Sequence, residues 1–423
     1  MTEAVAQYAG PSILSRGGNR PGQRGRAPVD FSFYVSGRGT YETGLLRPVL
    51  NESGELEGVN AAGVGAEVGV YGGHNWRRTQ VGLDYRGDYR HNTRRAAFNG
   101  TNQALALQLE HRLTRRISLS VSQTGGTTNR AFGGFSAPAF GDTNRLGIPL
   151  NELFDVRMYY LQSNATVTWQ RTARMALTGG ADAFFVKRKA LSLINAQGLR
   201  VLGAGSYRTS RRNTILSAYQ FLRFEFPKIL AKSDLHAVSM GVQSQFTRSI
   251  NMRLIGGVYL ADSRGVEQVT LSPEVAAILG RTTGPATFRR KSNFPLIDAE
   301  ISYVQERGRF FLAGSSSASP GNGALLTARR TNVHAGYSYT GIRRMSLGAS
   351  AGYMRMASRS LSVGATTGHQ TGVGMSYRVR PSFDLTSQID YRAFQTTVAQ
   401  ARKGFAFVFG LSYSSSRFPI SIW

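Results

Sequence analysis

Apolar and polar residues alternate along most of this chain. Leu105, Leu107 and Leu109 are interleaved with Ala104, Ala106, Gln108, Glu110 and Arg112, and Ile117, Leu119 and Val121 with Ser118, Ser120 and Ser122. The same pattern runs through Val64, Ala66, Val68 and Val70. Late in the chain Phe405, Phe407, Phe409, Leu411 and Tyr413 alternate with Gly404, Ala406, Val408, Gly410 and Ser412. A period of two puts successive side chains on opposite faces of an extended backbone, so each stretch predicts a strand with one greasy and one polar face. Helical spacing is nearly absent.

Short arginine-containing links separate one alternating stretch from the next. They read WRRTQ, LTRRIS, RTARMA, TSRRNT, FTRSIN, ERGRFF, GIRRMS and RVRPSF. They recur at intervals of about 36 to 38 residues, with two longer ones of about 58 to 60, which marks an internal repeat. Each unit holds two strands joined at the far end by a more polar loop, and so reads as a hairpin. Nine hairpins follow, from 31–46/60–76 and 79–93/100–114 through to 383–396/403–414. They predict 18 strands. In the hairpin at 213–227/235–248, Leu216, Tyr219, Phe221, Leu222, Phe224 and Phe226 do not alternate cleanly, which leaves 16 as the other count the pattern permits.

A meander of this length either closes on itself, splits into stacked sheets or leaves two edges unpaired, and closure alone removes the edges. The polar face carries small residues such as Ser118, Ser120, Ser122, Gly348, Ser350, Gly352, Gly372, Gly374 and Ser376. They are too small to fill a barrel about 18 strands wide, which would enclose water. The apolar face then has lipid to meet. The predicted fold class is all-β, a single transmembrane antiparallel up-and-down β-barrel over residues 31–414, with short turns at one end and long loops at the other. Tyr41, Trp76, Tyr85, Tyr159, Tyr160, Trp169, Tyr337, Tyr339, Tyr353, Tyr377 and Tyr391 lie near predicted strand ends, where amphipathic rings suit a membrane interface.

Composition narrows the chemistry. The 423 residues contain no cysteine, which excludes disulfides, thiolate metal sites and cysteine redox chemistry. His74, His91, His111, His236, His334 and His369 show no ligand spacing, so no metal and no cofactor is expected. No apolar run approaches the roughly 18 to 20 residues of a membrane-spanning helix. Lys and Arg number 51 against 24 Asp and Glu, a net charge of +27 that would suit nucleic acid. The basic residues are spread along the chain rather than gathered on one face among aromatics, so no nucleic-acid partner is expected. Gly348 to Gly352 spells G-x-S-x-G, but inside an alternating strand and not at the strand-to-helix turn that a nucleophile needs. No enzyme activity is expected.

The even strand number, the asymmetric loops and a chain ending in the aromatic Trp423 make residues 31–414 resemble the outer-membrane β-barrel proteins of Gram-negative bacteria, porins in particular. The resemblance implies a porin-like outer-membrane channel for passive diffusion of small hydrophilic solutes. It also implies contact with outer-membrane lipid and lipopolysaccharide, insertion by the barrel-assembly machinery, and homo-oligomers as an option. A basic lumen and mouth would favour anions, with Arg38, Arg112, Arg378 and Arg392 on the wall beside Asp84 and Glu110. In porins the third long loop often folds into the channel. Here that loop is 131–155, and Asp142, Glu152 and Asp155 would face the wall arginines. Arg94, Arg95, Lys187, Arg188, Lys189, Arg329 and Arg330 fall on predicted outer loops and are candidates for lipopolysaccharide phosphates. The alternative is a non-enzymatic structural or interaction barrel: an anchor, an adhesin, or the membrane part of a larger transport or secretion system.

The remaining segments carry their own expectations. Residues 1–30, rich in Gly and Pro with Arg16, Arg20, Arg24 and Arg26, predict a flexible basic lead-in, which the resemblance implies lies in the periplasm. Residues 415–423 predict a tail beyond the last strand, because Pro419 has no N–H for a ladder. In the loop 266–294, Ser272, Pro273, Glu274 and Gly280 sit where a short helix takes its cap, first turn and stop. Met1 to Gly10 lacks the basic start and apolar stretch of an export signal, and a reading frame that begins late is the expectation.

Overall fold

The alternating stretches fold as the strands they predict. In a computed structural model, described for residues 29–50, 56–93, 99–128, 156–270, 274, 282–321, 323, 325–358, 364–396, 402–414 and 418–420, the chain is a closed barrel of 18 antiparallel strands. In order these are β1 (Val29–Leu50), β2 (Leu56–Asn75), β3 (Thr79–Asn92), β4 (Gly100–Arg112), β5 (Ile117–Thr128), β6 (Met158–Gln170), β7 (Met175–Arg188), β8 (Ala196–Arg208) and β9 (Asn213–Phe226). The second half comprises β10 (Ala231–Gln245), β11 (Ile250–Thr270), β12 (Thr283–Val304), β13 (Gly308–Ser319), β14 (Ala328–Tyr339), β15 (Met345–Ser358), β16 (Ala365–Arg380), β17 (Phe383–Thr396) and β18 (Arg402–Ser414). Each strand pairs with its neighbours in sequence. β1 closes the circle against β18, with Arg38 opposite Gly410 and Tyr41 opposite Phe407.

The count is therefore 18 and not 16. The irregular hairpin is β9–β10, paired without interruption from Asn213–Ser244 to Phe226–Ala231. It fails to alternate because both faces of β9 are apolar. Leu222, Phe224 and Phe226 are buried on the inner face, while Ile215 and Tyr219 are exposed on the outer one.

Strand register fixes the shape. Followed from strand to strand once round, the registers return to β1 displaced by about 22 residues. With a rise of about 3.3 Å per residue and strands about 4.8 Å apart, that stagger tilts the strands by about 40° and gives a backbone cylinder about 35 Å across.

At one end the hairpins meet in short turns built by the sequence itself. Thr114 Oγ1 accepts hydrogen bonds from the N–H groups of Arg116 and Ile117, Thr172 Oγ1 from those of Arg174 and Met175, Ser210 Oγ from those of Arg212 and Asn213, and Thr247 Oγ1 from those of Ser249 and Ile250. A hydroxyl that closes the turn in this way lets two strands reverse in a few residues. The turns are also tied to one another. The carbonyls of Arg78, Arg116, Arg174, Arg212, Ser249, Arg307, Arg344 and Ser382 accept hydrogen bonds from the N–H groups of Arg112, Gln170, Arg208, Gln245, Val304, Thr340, Arg378 and Ser414 respectively, at 2.7–2.9 Å. The turn end is thus a continuous bonded rim.

The outer face is apolar all round, with Val68, Leu107, Leu161, Val201, Val238, Leu254, Ile301, Val333, Val373, Ile389 and Phe407 exposed on strands spaced round the ring from β2 to β18. A soluble monomer rarely exposes more than a few hundred Å² of contiguous apolar surface, and a complete belt suits hydrocarbon.

Three expectations change. The stretch 266–294 is mostly strand, because Val266 pairs with Thr287 and Thr270 with Thr283. Its alternation is hidden because this hairpin is polar on both faces, with Arg264 and Arg289 outward and Arg290 and Ser292 inward. Of the expected helix only Glu274 is among the described residues, and it is helical. The ladder also resumes after Ser414, where a three-residue β19 (Phe418–Ile420) pairs with Phe31, Asp30 and Val29. Pro419 removes one donor, yet its neighbours still pair. Residues 1–28, 415–417 and 421–423 lie outside the described residues, whereas Val29 and Asp30 already belong to β1.

One local rule shapes the interior. β13 stays on β12 only from Arg309–Val304 to Ser316–Ile297, and the next residues of β12 include Pro295, which has no N–H to donate. There Ser316 Oγ donates to the Pro295 carbonyl at 3.2 Å in place of a ladder bond. Above that point β13 parts from β12 but stays paired with β14 as far as Ser319–Ala328, and the link beyond it folds inward.

A charge on the belt should separate the two faces of one strand. Leu107→Arg, near the middle of β4, is expected to lower stability by about 2–4 kcal/mol in reversible urea unfolding from lipid bilayers, and Gln108→Arg on the inner face by far less.

Candidate functional site

The interior has two unlike arcs. On the arc from β17 through β18 and β1 to β3, glycines of β2 and β18 leave floor space for long polar side chains. Arg38 lies across Gly65 and Gly410, where an added Cβ would stand 3.3–3.4 Å from it. Tyr34 lies over Gly69 and donates to Glu67 Oε1 at 2.6 Å. The Arg38 guanidinium bridges Glu67 at 3.3 Å and Asp88 at 2.5 Å, Arg86 meets Asp84 at 2.8 Å, and Arg90 donates to Glu42 at 2.5 Å. Glu42, Asp84, Arg86, Asp88 and Arg90 are all buried. Buried charges persist only when paired, so this is a compensated network rather than a row of free cations.

The facing arc, on β8 to β12, is greasy. Leu222, Phe224, Phe226, Leu235, Tyr259, Phe294 and Leu296 form one buried cluster on the inner face. The same strands and the adjoining β7 carry further compensated pairs, Asp182 with Arg200 at 2.6 Å and Arg253 with Asp298 at 3.2 Å.

Two links fold into this interior from the loop end. The β13–β14 link seats Leu326 in the greasy cluster and Leu325 against Ala328 and Met356, while Thr327 Oγ1 donates to Ser233 Oγ at 2.6 Å. Gly321 and Gly323 make the bend, with φ of +76° and +87°. A Cβ at Gly321 would meet the Leu325 carbonyl at 1.8 Å, and one at Gly323 would meet Arg188 Cδ at 2.8 Å. The β7–β8 link, residues 189–195, comes from the other side. Its Ile194 N–H donates to the Gly323 carbonyl at 2.9 Å, Arg188 Nη1 donates to the Ile194 carbonyl, and Lys228 donates to that of Leu191. Leu193 is buried against Phe394 of β17, halfway round the circle from β8. Together the two links span the barrel from wall to wall.

The wall candidates take definite places. Arg38 and Asp84 sit in the charged arc, and Arg392 beside them donates to the Gly44 carbonyl at 3.4 Å. Arg378, on the same inner register nearer the turns, lies 3.3 Å from Asp384. Glu110 and Arg112 are on the inner register of β4 at the turn end, exposed, and form no ion pair among the described residues. Asp142, Glu152 and Asp155, with the rest of 131–155, lie outside the described residues, as do Arg94 and Arg95.

Of the outer-loop candidates, Lys187 and Lys189 are exposed, and Arg329 lies over Ser316, donating to its Oγ at 3.0 Å. Two are corrected. Arg188 is buried, faces inward and holds the 189–195 link, and Arg330 faces inward with its Nε on Asn332 Oδ1 at 3.1 Å. Each is one residue from a neighbour on the other face, and a one-residue difference in a strand reverses the side. Sequence reading missed the greasy arc and both inward links. The signals were the doubly apolar β9 and the paired Gly321 and Gly323. Among the described residues no cluster of His, Asp and Glu could hold a metal ion.

No family model and no curated protein matches the chain. Solved structures do resemble it. The outer membrane protein OpdK from Pseudomonas aeruginosa is 13% identical with a TM-score of 0.43, over 91% of this chain and 99% of that one. OccK9 (OpdG) of the same organism is 12% identical with a TM-score of 0.43, over 91% and 98%. OccAB4 of Acinetobacter baumannii is 10% identical with a TM-score of 0.42, over 94% and 100%. The functional reading below rests on the barrel's own geometry.

Removing Arg38 leaves Glu67 and Asp88 facing each other without their shared cation. Arg38→Met is expected to cost about 3–5 kcal/mol in bilayer unfolding, and the further change of Asp88→Asn to recover part of it. Gly321→Ala forces a side chain into a left-handed backbone against a carbonyl. A local penalty of about 1–3 kcal/mol should appear as faster amide exchange in the β13–β14 link, with the strands unaffected.

Proposed function

We propose that this chain is an outer-membrane channel through which small hydrophilic solutes diffuse passively, with anions favoured. The observation that carries the proposal is a closed 18-strand barrel whose exterior is apolar all round and whose interior holds charge. A ring about 35 Å across is too wide for its own inner side chains to fill. Water therefore occupies what the links leave free, and solutes follow water.

The anion preference rests on the turn-side mouth. Deeper in the barrel most carboxylates have arginine partners, and Asp390 is held by the Gln388 amide, so the wall there is close to neutral. At the mouth Arg112, Arg208 and Arg309 lie on the inner register, are exposed, and have no ion pair among the described residues. Glu110 on the same register offsets one of the three, and the net cationic mouth that remains concentrates anions and repels cations.

The bridge formed by Leu193, Phe394 and the β13–β14 link supports a second reading. A barrel occluded there would be an anchor or the membrane part of a larger assembly. Conductance separates the two. Refolded protein in a planar bilayer under a salt gradient is expected to give stepwise openings with a reversal potential biased to anions. Converting Arg112, Arg208 and Arg309 to Gln should lower the anion-to-cation permeability ratio by a factor of about 2 or more. Silence from a correctly folded barrel, relieved by replacing residues 320–327 with a short Gly-Ser link, would establish the occluded reading.

A further inference from the structure

The eight short turns hold charge that solute passage does not use. Arg78, Arg116, Arg174, Arg212, Arg307 and Arg344 are exposed, and the backbone carbonyl of each is fixed in the bonded rim at 2.7–2.9 Å. Further exposed arginines stand beside them, at Arg77, Arg115, Arg171, Arg211, Arg248 and Arg343. Across all eight turns Glu306 is the sole carboxylate, in a chain with 24 Asp and Glu. That imbalance is confined to one end.

A second observation concerns the neighbours of these arginines. Trp76, Leu113, Phe246 and Ile342, all within the turns, are 57%, 48%, 52% and 46% exposed, and Trp169 and Tyr207 stand exposed just before two others. Trp76 stands edge-on to the His74 ring at 4.2 Å, yet each of these side chains still leaves about half its surface uncovered at the tip of a turn. Arginine beside an exposed Trp or Phe suits a partner that offers a phosphate next to an acyl chain. An acidic polymer in water or a passing anion would account for the arginines and leave the apolar residues unexplained.

We infer that the turn rim binds the phosphate groups of anionic phospholipids in the leaflet it meets. The arginines engage phosphate through paired N–H donors, and Trp76, Leu113, Phe246 and Ile342 enter the boundary below it. A shell of bound lipid then holds the barrel at a fixed depth. The inference requires that the barrel sit in a bilayer, and does not require that it conduct.

Two tryptophans report on the rim directly, since Trp76 adjoins Arg77 and Trp169 lies two residues before Arg171. The folded full chain is placed in phosphatidylcholine vesicles containing a small equal fraction of either phosphatidylglycerol or phosphatidylcholine brominated on the acyl chain. Quenching of tryptophan fluorescence is then compared. The expected result is several-fold enrichment of phosphatidylglycerol at about 20 mM salt that largely disappears at about 500 mM. Arg77→Gln, Arg78→Gln, Arg171→Gln and Arg174→Gln together should reduce it at least by half, with folding verified by heat-modifiable migration.

Equal quenching by the two lipids at low salt would overturn the inference. So would a preference that salt leaves unchanged, an arm that needs no variant. Arginine-dependent retention on peptidoglycan sacculi without any phosphatidylglycerol preference would overturn it in favour of an acidic wall polymer. A barrel silent in conductance but selective for phosphatidylglycerol would sink the channel reading and leave this one standing.

Discussion

Every backbone N–H and C=O that faces hydrocarbon must find its partner inside the protein, because lipid offers none. That constraint explains why 18 strands close into one sheet with β1 on β18 rather than stopping at an edge. It also explains why the ladder resumes at Phe418–Ile420 to cover the start of β1. Among the described residues a sustained departure occurs where Pro295 has no donor to give. β13 then parts from β12 while keeping its pairing with β14, and Ser316 Oγ takes up the Pro295 carbonyl.

The interior follows from the same closure. A wall whose outer face is committed to lipid leaves only the inner face free to vary, and this chain divides it. Paired arginines and carboxylates lie over glycines on one side, and aromatic and aliphatic residues face them on the other. The inward links join the two: Leu326 docks on the greasy side, and Leu193 reaches Phe394 on β17, the strand that also carries Arg392. The result is a channel-sized ring with an asymmetric cross-section set by a few side chains.

Much of this was legible in the sequence, for a physical reason. Lipid outside and water inside impose a strict period of two, so the strands from β3 to β8 and β13 to β18 could be placed within a few residues from alternation and arginine turns alone. Where one solvent lies on both sides the signal vanishes. β9 is apolar on both faces because it lines the greasy cluster, and the far part of β11–β12 is polar on both because it stands beyond the belt. Among candidate site residues, Arg38, Asp84, Arg378 and Arg392 could be placed on the wall by parity. Their carboxylate partners could not, since Asp88 is 50 residues from Arg38 and only register brings them to 2.5 Å. Arg188 was misplaced because the boundary between strand and loop decides which way it points.

The rim of arginine turns also has a bearing on assembly. A barrel that enters a bilayer from one side must drive one set of its connections through the hydrocarbon, and each arginine carried across resists by about 2.5–3.5 kcal/mol or more. Connections whose charge is almost wholly cationic and whose backbone is locked into a ring are ill suited to that journey. The turn end is therefore the trailing end, the part that stays behind while the loops go through. Written into eight short turns is a direction of travel, a vector that the closed cylinder, nearly symmetric from top to bottom in its ladders, does not otherwise possess.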